Sequence, residues 1–188
     1  MRTMIPEGDF RFIALDVETA CSDAASICQI GLACVRPDNQ ILTFSTLVDP
    51  CTDFDAFNTR LHGIGAVHVM GAPRFDDVLD QLFPLLSRHP LIQHSNFDKQ
   101  AVNAASRTYG IDAPDFRWLD SVTIARRAWP ELKGNGGHGL GNLKKVLNLK
   151  FRHHDAGEDA RAAAQVVLQA EMRLGLAFDM ILTPARKR

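Results

Sequence analysis

Apolar residues fall along the chain in three short, dense runs, followed by stretches in which they recur every three or four positions. Phe10 to Val17, Ser26 to Arg36 and Gln40 to Val48 are rich in Ile, Val, Leu and Phe. Turn formers bound each run, including Pro37-Asp38-Asn39 between the second and third, so they predict a meander of three antiparallel strands. The first run is almost continuously apolar, the mark of a strand covered on both faces, and is expected at the centre of the sheet.

Beyond Pro50 the period lengthens. Phe75 to His89 carries Phe75, Val78, Leu79, Leu82, Phe83 and Leu86 at helical spacing, with Pro84 as a local defect. Leu91-Ile92-Gln93 reads as a short buried strand, Asp98 to Tyr109 as a helix stopped by Gly110, and Arg117 to Leu119 as a further strand. Ser121 to Trp129 is a helix closed by Pro130, and Leu140 to Leu147 is another. Glu158 to Leu174 has the clearest pattern, with Ala160, Ala163, Ala164, Val167 and Leu174 along one stripe. Strands first, then alternating helices and strands, predict an α/β fold: three antiparallel strands and then short parallel strands in one mixed central sheet flanked by helices.

The length of 188 residues and the near-average 46% hydrophobic and 23% charged content fit one globular domain, expected over residues 1–180, with 181–188 as a short basic tail. They exclude a disordered chain, a collagen-like chain and a coiled coil. No window approaches the roughly 18 apolar residues of a membrane span, and Met1 to Phe10 has no apolar leader segment. Cys21, Cys28, Cys34 and Cys51 form no CxxC pair, so reduced thiols in a cytoplasmic protein are expected rather than a disulfide framework.

Net charge is −1, against a general nucleic-acid-coating role, but its distribution is uneven. Residues 126–152 hold seven Lys/Arg and one acid, Glu131; residues 49–80 hold six Asp and two Arg. A solvated basic face and a phosphate-binding flank beside an acidic site both fit this arrangement.

Three acidic positions carry candidate chemistry. Asp16 and Glu18 end the first run at i and i+2, so on a strand they share a face. Like charges at the end of an apolar strand are costly unless a cation offsets them, and hard divalent ions take oxygen ligands. A solvated strand end is the alternative. Asp98 lies where a short strand gives way to a helix, and there it is either a cap or a ligand. Asp159 follows His153-His154 and opens the alanine-rich helix, on the flank continued by Ala162, Ala163, Val166 and Ala170. Small residues there allow close approach to the sheet. Lys133-Gly134-Asn135-Gly136-Gly137-His138-Gly139 lacks Walker A and Rossmann spacing and reads as a mobile loop beside a groove. Gln81 to Leu86 loosely resembles a sliding-clamp-binding peptide, but its leucines are expected in the core.

The order and spacing of these acids resemble the three motifs of the DEDDh 3′–5′ exonucleases, the family of the proofreading subunit of bacterial replicative polymerases and of ribonuclease T. Gln29-Ile30-Gly31, Asn58, Leu61-His62-Gly63-Ile64 and Leu119-Asp120-Ser121 also match. Of the two adjacent histidines, His154 has the family's spacing to Asp159. The resemblance implies a ribonuclease H-like fold in which Asp16, Glu18, Asp98 and Asp159 hold two divalent cations, Mg²⁺ or Mn²⁺, with His154 as general base. It further implies Thr19, His62 and Phe97 as contacts to the terminal nucleotide. Nucleoside 5′-monophosphates would be released from the 3′ end of single-stranded DNA, with a polymerase as a candidate partner. RNA-end trimming and a catalytically silent nucleic-acid-binding domain are the alternatives. An aspartate-based phosphatase would need a DxD strand end, where this chain has Asp-Val-Glu.

Overall fold

A computed structural model describes residues 4–183. Five strands form one sheet in the order β3-β2-β1-β4-β5, made by β1 (Phe12–Thr19), β2 (Ile27–Val35), β3 (Ile41–Leu47), β4 (Leu91–Gln93) and β5 (Trp118–Asp120). The first three are antiparallel; β4 and β5 add on parallel to β1. The apolar first run is central, as its two-sided hydrophobicity requires.

Alternation along β1 assigns its two faces. Ile13, Leu15 and Val17 pack with α3 (Phe75–Leu86) and α4 (Phe97–Thr108) in one buried cluster. Phe12 and Ala14 pack on the other side against α5 (Ser121–Ala128), α6 (Leu140–Val146), α7 (Ala156–Leu174) and α8 (Phe178–Leu182). Asp16 and Glu18 continue the even-numbered row, so the pleat turns both toward the α7 side.

The decisive contact is between α7 and the middle of β2. Gly31 pairs with Asp16 on β1, and the first turn of α7 lies directly over it. A Cβ at Gly31 would fall inside the Ala156 carbonyl group and against the Gly157 nitrogen. Gln29 supports the same contact, its Oε1 accepting the Ala156 N–H at 3.0 Å. Asp155 caps the helix, its Oδ1 accepting the N–H groups of Gly157 and Glu158 at 3.1 and 3.2 Å. Ala160, Ala162, Ala163, Ala164, Val166 and Val167 are all buried beneath it.

Some expectations need correction. Leu174 is on the exposed side at the end of α7, and Phe83, in the turn before Pro84, stands 47% exposed while Leu82, Leu85 and Leu86 are buried. The expected tail does not start at residue 181: Ile181 and Leu182 belong to α8, and Ile181 is in the core. Residues 184–188 of that tail lie outside the described residues. The short helices α1 (Ala56–His62), α2 (Ala66–Val69) and α8 were not anticipated, since four to seven residues are too few to establish a period. Among the described residues no helix is long and apolar enough to cross a membrane. The four cysteines are free thiols, Cys28 and Cys34 buried.

Gly31→Ala is expected to destabilise the protein by about 1–3 kcal/mol, the usual cost of overpacking, and to lower activity by lifting α7 off β2. Urea denaturation beside Gly139→Ala, whose Cβ would meet open space at an ordinary φ of −67°, checks this; equal midpoints would refute the close-approach argument.

Candidate active site

The site forms where β1 outruns its neighbour. Pairing of β1 with β4 covers Ile13 and Ala14 only, and further along the Asp98 Oδ1 accepts the Val17 N–H at 3.1 Å in place of a strand partner. Asp98, in the first turn of α4, is thereby held beside the strand end. α7 brings Asp159 in from the opposite flank. Oxygens of Asp16, Glu18 and Asp159 lie within 4.8 Å of one another. An open cavity of about 320 Å³ is lined by all four acids together with Phe97, His94, His153 and His154.

Burial and mutual repulsion govern the electrostatics. Burial first, then the charges of Asp98, Asp159, Glu18 and Asp155, push Asp16 well above the ordinary carboxylate range. The same causes, burial leading and Asp159 next, drive Glu18 up to about 8. Asp98 rises to about 7 through burial, despite the lowering effect of the Val17 N–H. Hard oxygen donors that repel one another in a half-enclosed site suit a divalent cation with a preference for oxygen.

The two histidines divide their contacts in a way that spacing does not predict. The family's spacing to Asp159 belongs to His154, which leaves His153 with no expected contact there. Instead its Nδ1 donates to both Asp159 oxygens, at 2.9 and 3.0 Å, while His154 reaches Asp159 Oδ2 through its backbone N–H at 2.8 Å. The cause is the backbone of His154, which at φ 65° is left-handed and swings the preceding residue back over α7. The two rings stack at 4.2 Å. Among the described residues the His154 ring makes no hydrogen bond, and burial followed by the His153 charge lowers its pKa.

The expected substrate contacts separate. Phe97 lines the cavity with its ring 43% exposed, so it is not a core residue. Thr19 and His62 are buried and lie outside the cavity lining. His62 Nδ1 accepts the Ile64 N–H at 3.0 Å, so its Nε2 carries the proton that is donated to the Thr19 carbonyl at 3.1 Å. Asn58 Nδ2 donates to the same carbonyl at 2.9 Å. His62 therefore fixes the exit of β1 and has no ring nitrogen left for a ligand. His94 has its Nδ1 2.8 Å from Ser121 Oγ and donates through Nε2 to the His138 carbonyl at 3.0 Å, which anchors the glycine-rich loop beside the cavity. No local sequence signal marks the Ser121 and His138 roles.

These contacts separate the four acids by their removal. Asp98 and Asp159 each satisfy a backbone N–H, so alanine there is expected to cost about 1–3 kcal/mol of stability, whereas Glu18→Gln is expected to stabilise the metal-free protein. For Glu18 the sign follows from a folded pKa of about 8 against an ordinary 4.5: the folded state binds the extra proton, so stability present below about 4.5 is lost as pH rises to about 8. Melting in EDTA from pH 5 to 8 should therefore fall more steeply for wild type than for Glu18→Gln; parallel curves would remove Glu18 from the repelling cluster.

The Exonuclease family profile (RNase T type) matches residues 13–167. The DNA polymerase III PolC-type of Caldanaerobacter subterraneus subsp. tengcongensis is 28% identical over 167 residues, 87% of this chain and 12% of that protein. The enzyme of the same name from Streptococcus agalactiae serotype III is 30% identical over 160 residues, covering 83% and 11%. The chain thus spans about an eighth of the length of these curated relatives. Among solved structures, Exonuclease X in complex with 5′ overhanging duplex DNA superposes with a TM-score of 0.69 at 20% identity, over 90% of this chain and 96% of that one. The E. coli ExoI–ssDNA complex in its zinc-bound form gives 0.77 at 16% identity, over 92% and 42%. The nuclease domain of 3′hExo, a DEDDh family member bound to rAMP, gives 0.71 at 17% identity, over 87% and 92%. These likenesses show a ribonuclease H-like fold, and the profile match across most of the sequence places this chain in the Exonuclease family.

Proposed function

We propose that the protein is a divalent-metal-dependent 3′–5′ exonuclease that releases nucleoside 5′-monophosphates from the 3′ end of single-stranded DNA. One observation carries the reading: Asp16, Glu18, Asp98 and Asp159, from three distant segments, converge on one open cavity, and burial and mutual repulsion raise the pKa of three of them. These four would hold two Mg²⁺ or Mn²⁺ ions. Bound there, such ions supply an acidified water and offset charge on the phosphate and the leaving oxygen.

The chain's own residues do the rest. Burial and then the His153 charge lower the His154 pKa and so favour its neutral form, whose unengaged ring can accept the proton of an attacking water. His153 orients Asp159 and stacks on His154, which makes it a positioning residue in this reading. Phe97 offers an apolar face to the terminal base. Asn58 and His62 hold the Thr19 carbonyl and so fix the end of β1 just beyond Glu18. DNA is favoured over RNA by the PolC-type relatives, and association with a polymerase and action in the cytoplasm belong to the same reading.

A digest of end-labelled strands with Mg²⁺, and with EDTA as control, tests the activity. Each of Asp16→Ala, Glu18→Ala, Asp98→Ala and Asp159→Ala should abolish most turnover, and near-normal turnover at saturating Mg²⁺ would remove that residue from the site. Single-stranded or mismatched 3′ ends should be cut about tenfold faster than paired ends, because fraying a paired end costs about 1–2 kcal/mol per step. Equal rates, or release from the 5′ end, would refute the reading; faster cutting of RNA would turn it toward RNA trimming.

His154→Ala should lower the rate by about 10²–10⁴ and abolish the acid limb of the pH–rate profile measured with saturating Mn²⁺. That limb should lie below the ordinary histidine value, since the His154 pKa is lowered. His153→Ala should keep the limb while losing less activity; the reverse pattern would make His153 the base.

A further inference from the structure

A second cavity, of about 500 Å³, lies against the glycine-rich loop and is lined by Arg126, Pro130, Lys133, Gly134, Gly137 and His138. Consecutive stretches of the loop wall the two cavities. Gly137 and His138 line this one, while the next residues, Gly139 and Leu140, line the acidic one. The wall is braced: His94 donates to the His138 carbonyl, the His138 Nε2 donates to the Trp129 carbonyl at 2.8 Å, and Asn142 Nδ2 donates to the Gly137 carbonyl at 2.8 Å.

The basic residues of this segment differ in what already holds them. Arg127 is committed to the carbonyls of Ile181 and Thr183, and Lys144 to the Phe151 carbonyl and ring. Glu131, the one acid of the segment, is paired with Arg173 at 2.9 Å. Arg126 and Lys133 are the two that line the cavity, both exposed and, among the described residues, in no ion pair, whereas the exposed Lys145 and Lys150 lie outside its lining. Gly134 and Gly137 have φ of 78° and 74°, and a Cβ at either would meet only open space. Glycine at these positions serves the backbone turn and leaves the surface bare for close approach.

We propose that this second cavity seats the substrate strand on the 5′ side of the nucleotide being removed, with backbone phosphates between Arg126 and Lys133. The inference rests on the nuclease reading of the neighbouring cavity. Because the consecutive residues His138 and Gly139 line the two cavities, a strand whose 3′ end enters the acidic cavity needs to cross only the loop to reach the basic one. Two exposed cations with no acceptor side chain between them suit repeated phosphates of any sequence, and contacts of this kind position a strand without reading it. The acidic cavity repels a polyanion, and a basic seat one step away offsets that repulsion.

The test is binding of labelled single-stranded DNA in EDTA by fluorescence anisotropy across a KCl series, with oligonucleotides of about twelve and about two nucleotides. The proteins are wild type, the double variant Arg126→Ala/Lys133→Ala, and Lys145→Ala as an exposed-lysine control outside the cavity. Losing two phosphate contacts should reduce the slope of log affinity against log salt by about 1.4, at about 0.7 per contact on a single strand. Affinity for the longer strand should fall by about tenfold or more, that for the shorter strand by less, and Lys145→Ala should match wild type. An unchanged slope in the double variant would overturn the proposal. So would an equal loss in Lys145→Ala, which would mean diffuse attraction, or an equal loss on both lengths, which would mean a disturbed acidic site. Failure of the nuclease reading would appear separately, as no hydrolysis by wild type with Mn²⁺, because the salt slope is measured without turnover.

Discussion

The approach of the last long helix to the sheet is the contact on which the site depends. α7 can lie on β2 only because Gly31 has no side chain and the helix presents alanine along its buried flank. Gln29 and Asp155 complete the contact by satisfying N–H groups that the first helical turn leaves without partners. Since Gly31 sits opposite Asp16 in the strand register, bringing α7 down at that point delivers Asp159 to the carboxylates of β1. Packing and chemistry are set by the same few ångströms.

What this geometry assembles is electrostatically unfavourable in the protein alone. Four carboxylates share one cavity, and their burial adds to their repulsion. Two of them are compensated locally, Asp98 by the Val17 N–H and Asp159 by His153 and the His154 N–H. Asp16 and Glu18 depend on the sheet, whose two faces are covered by separate apolar clusters. The central strand thus places carboxyl groups where burial and their neighbours disfavour the charged form, a perturbed ionisation characteristic of functional sites.

The positions around the acids are controlled by backbone contacts more than by side-chain pairs. His62 and Asn58 grip a carbonyl at the end of β1, and His94 and His138 brace the glycine-rich loop through carbonyls as well. The expectation of a loop beside the groove matched its place in the fold; the bracing was not readable, because it joins residues 44 positions apart.

Periodicity alone determined the three leading strands, the central place of β1 and the main helices, because alternation and the 3.6-residue repeat are local consequences of burial. It also put Asp16 and Glu18 on one face of a strand and Asp159 on the buried flank of a helix. Family resemblance linked these to Asp98; no local pattern did. Only the tertiary structure decided which histidine touches Asp159, because that turns on a left-handed backbone at His154 that nothing in its side chain demands. It likewise buried His62 and Thr19 away from the cavity and exposed Phe97 on its rim. The physical reason is common to all three. A side chain's place in a repeat follows from its near neighbours, but its partners are chosen by segments that meet only when the sheet and α7 close together.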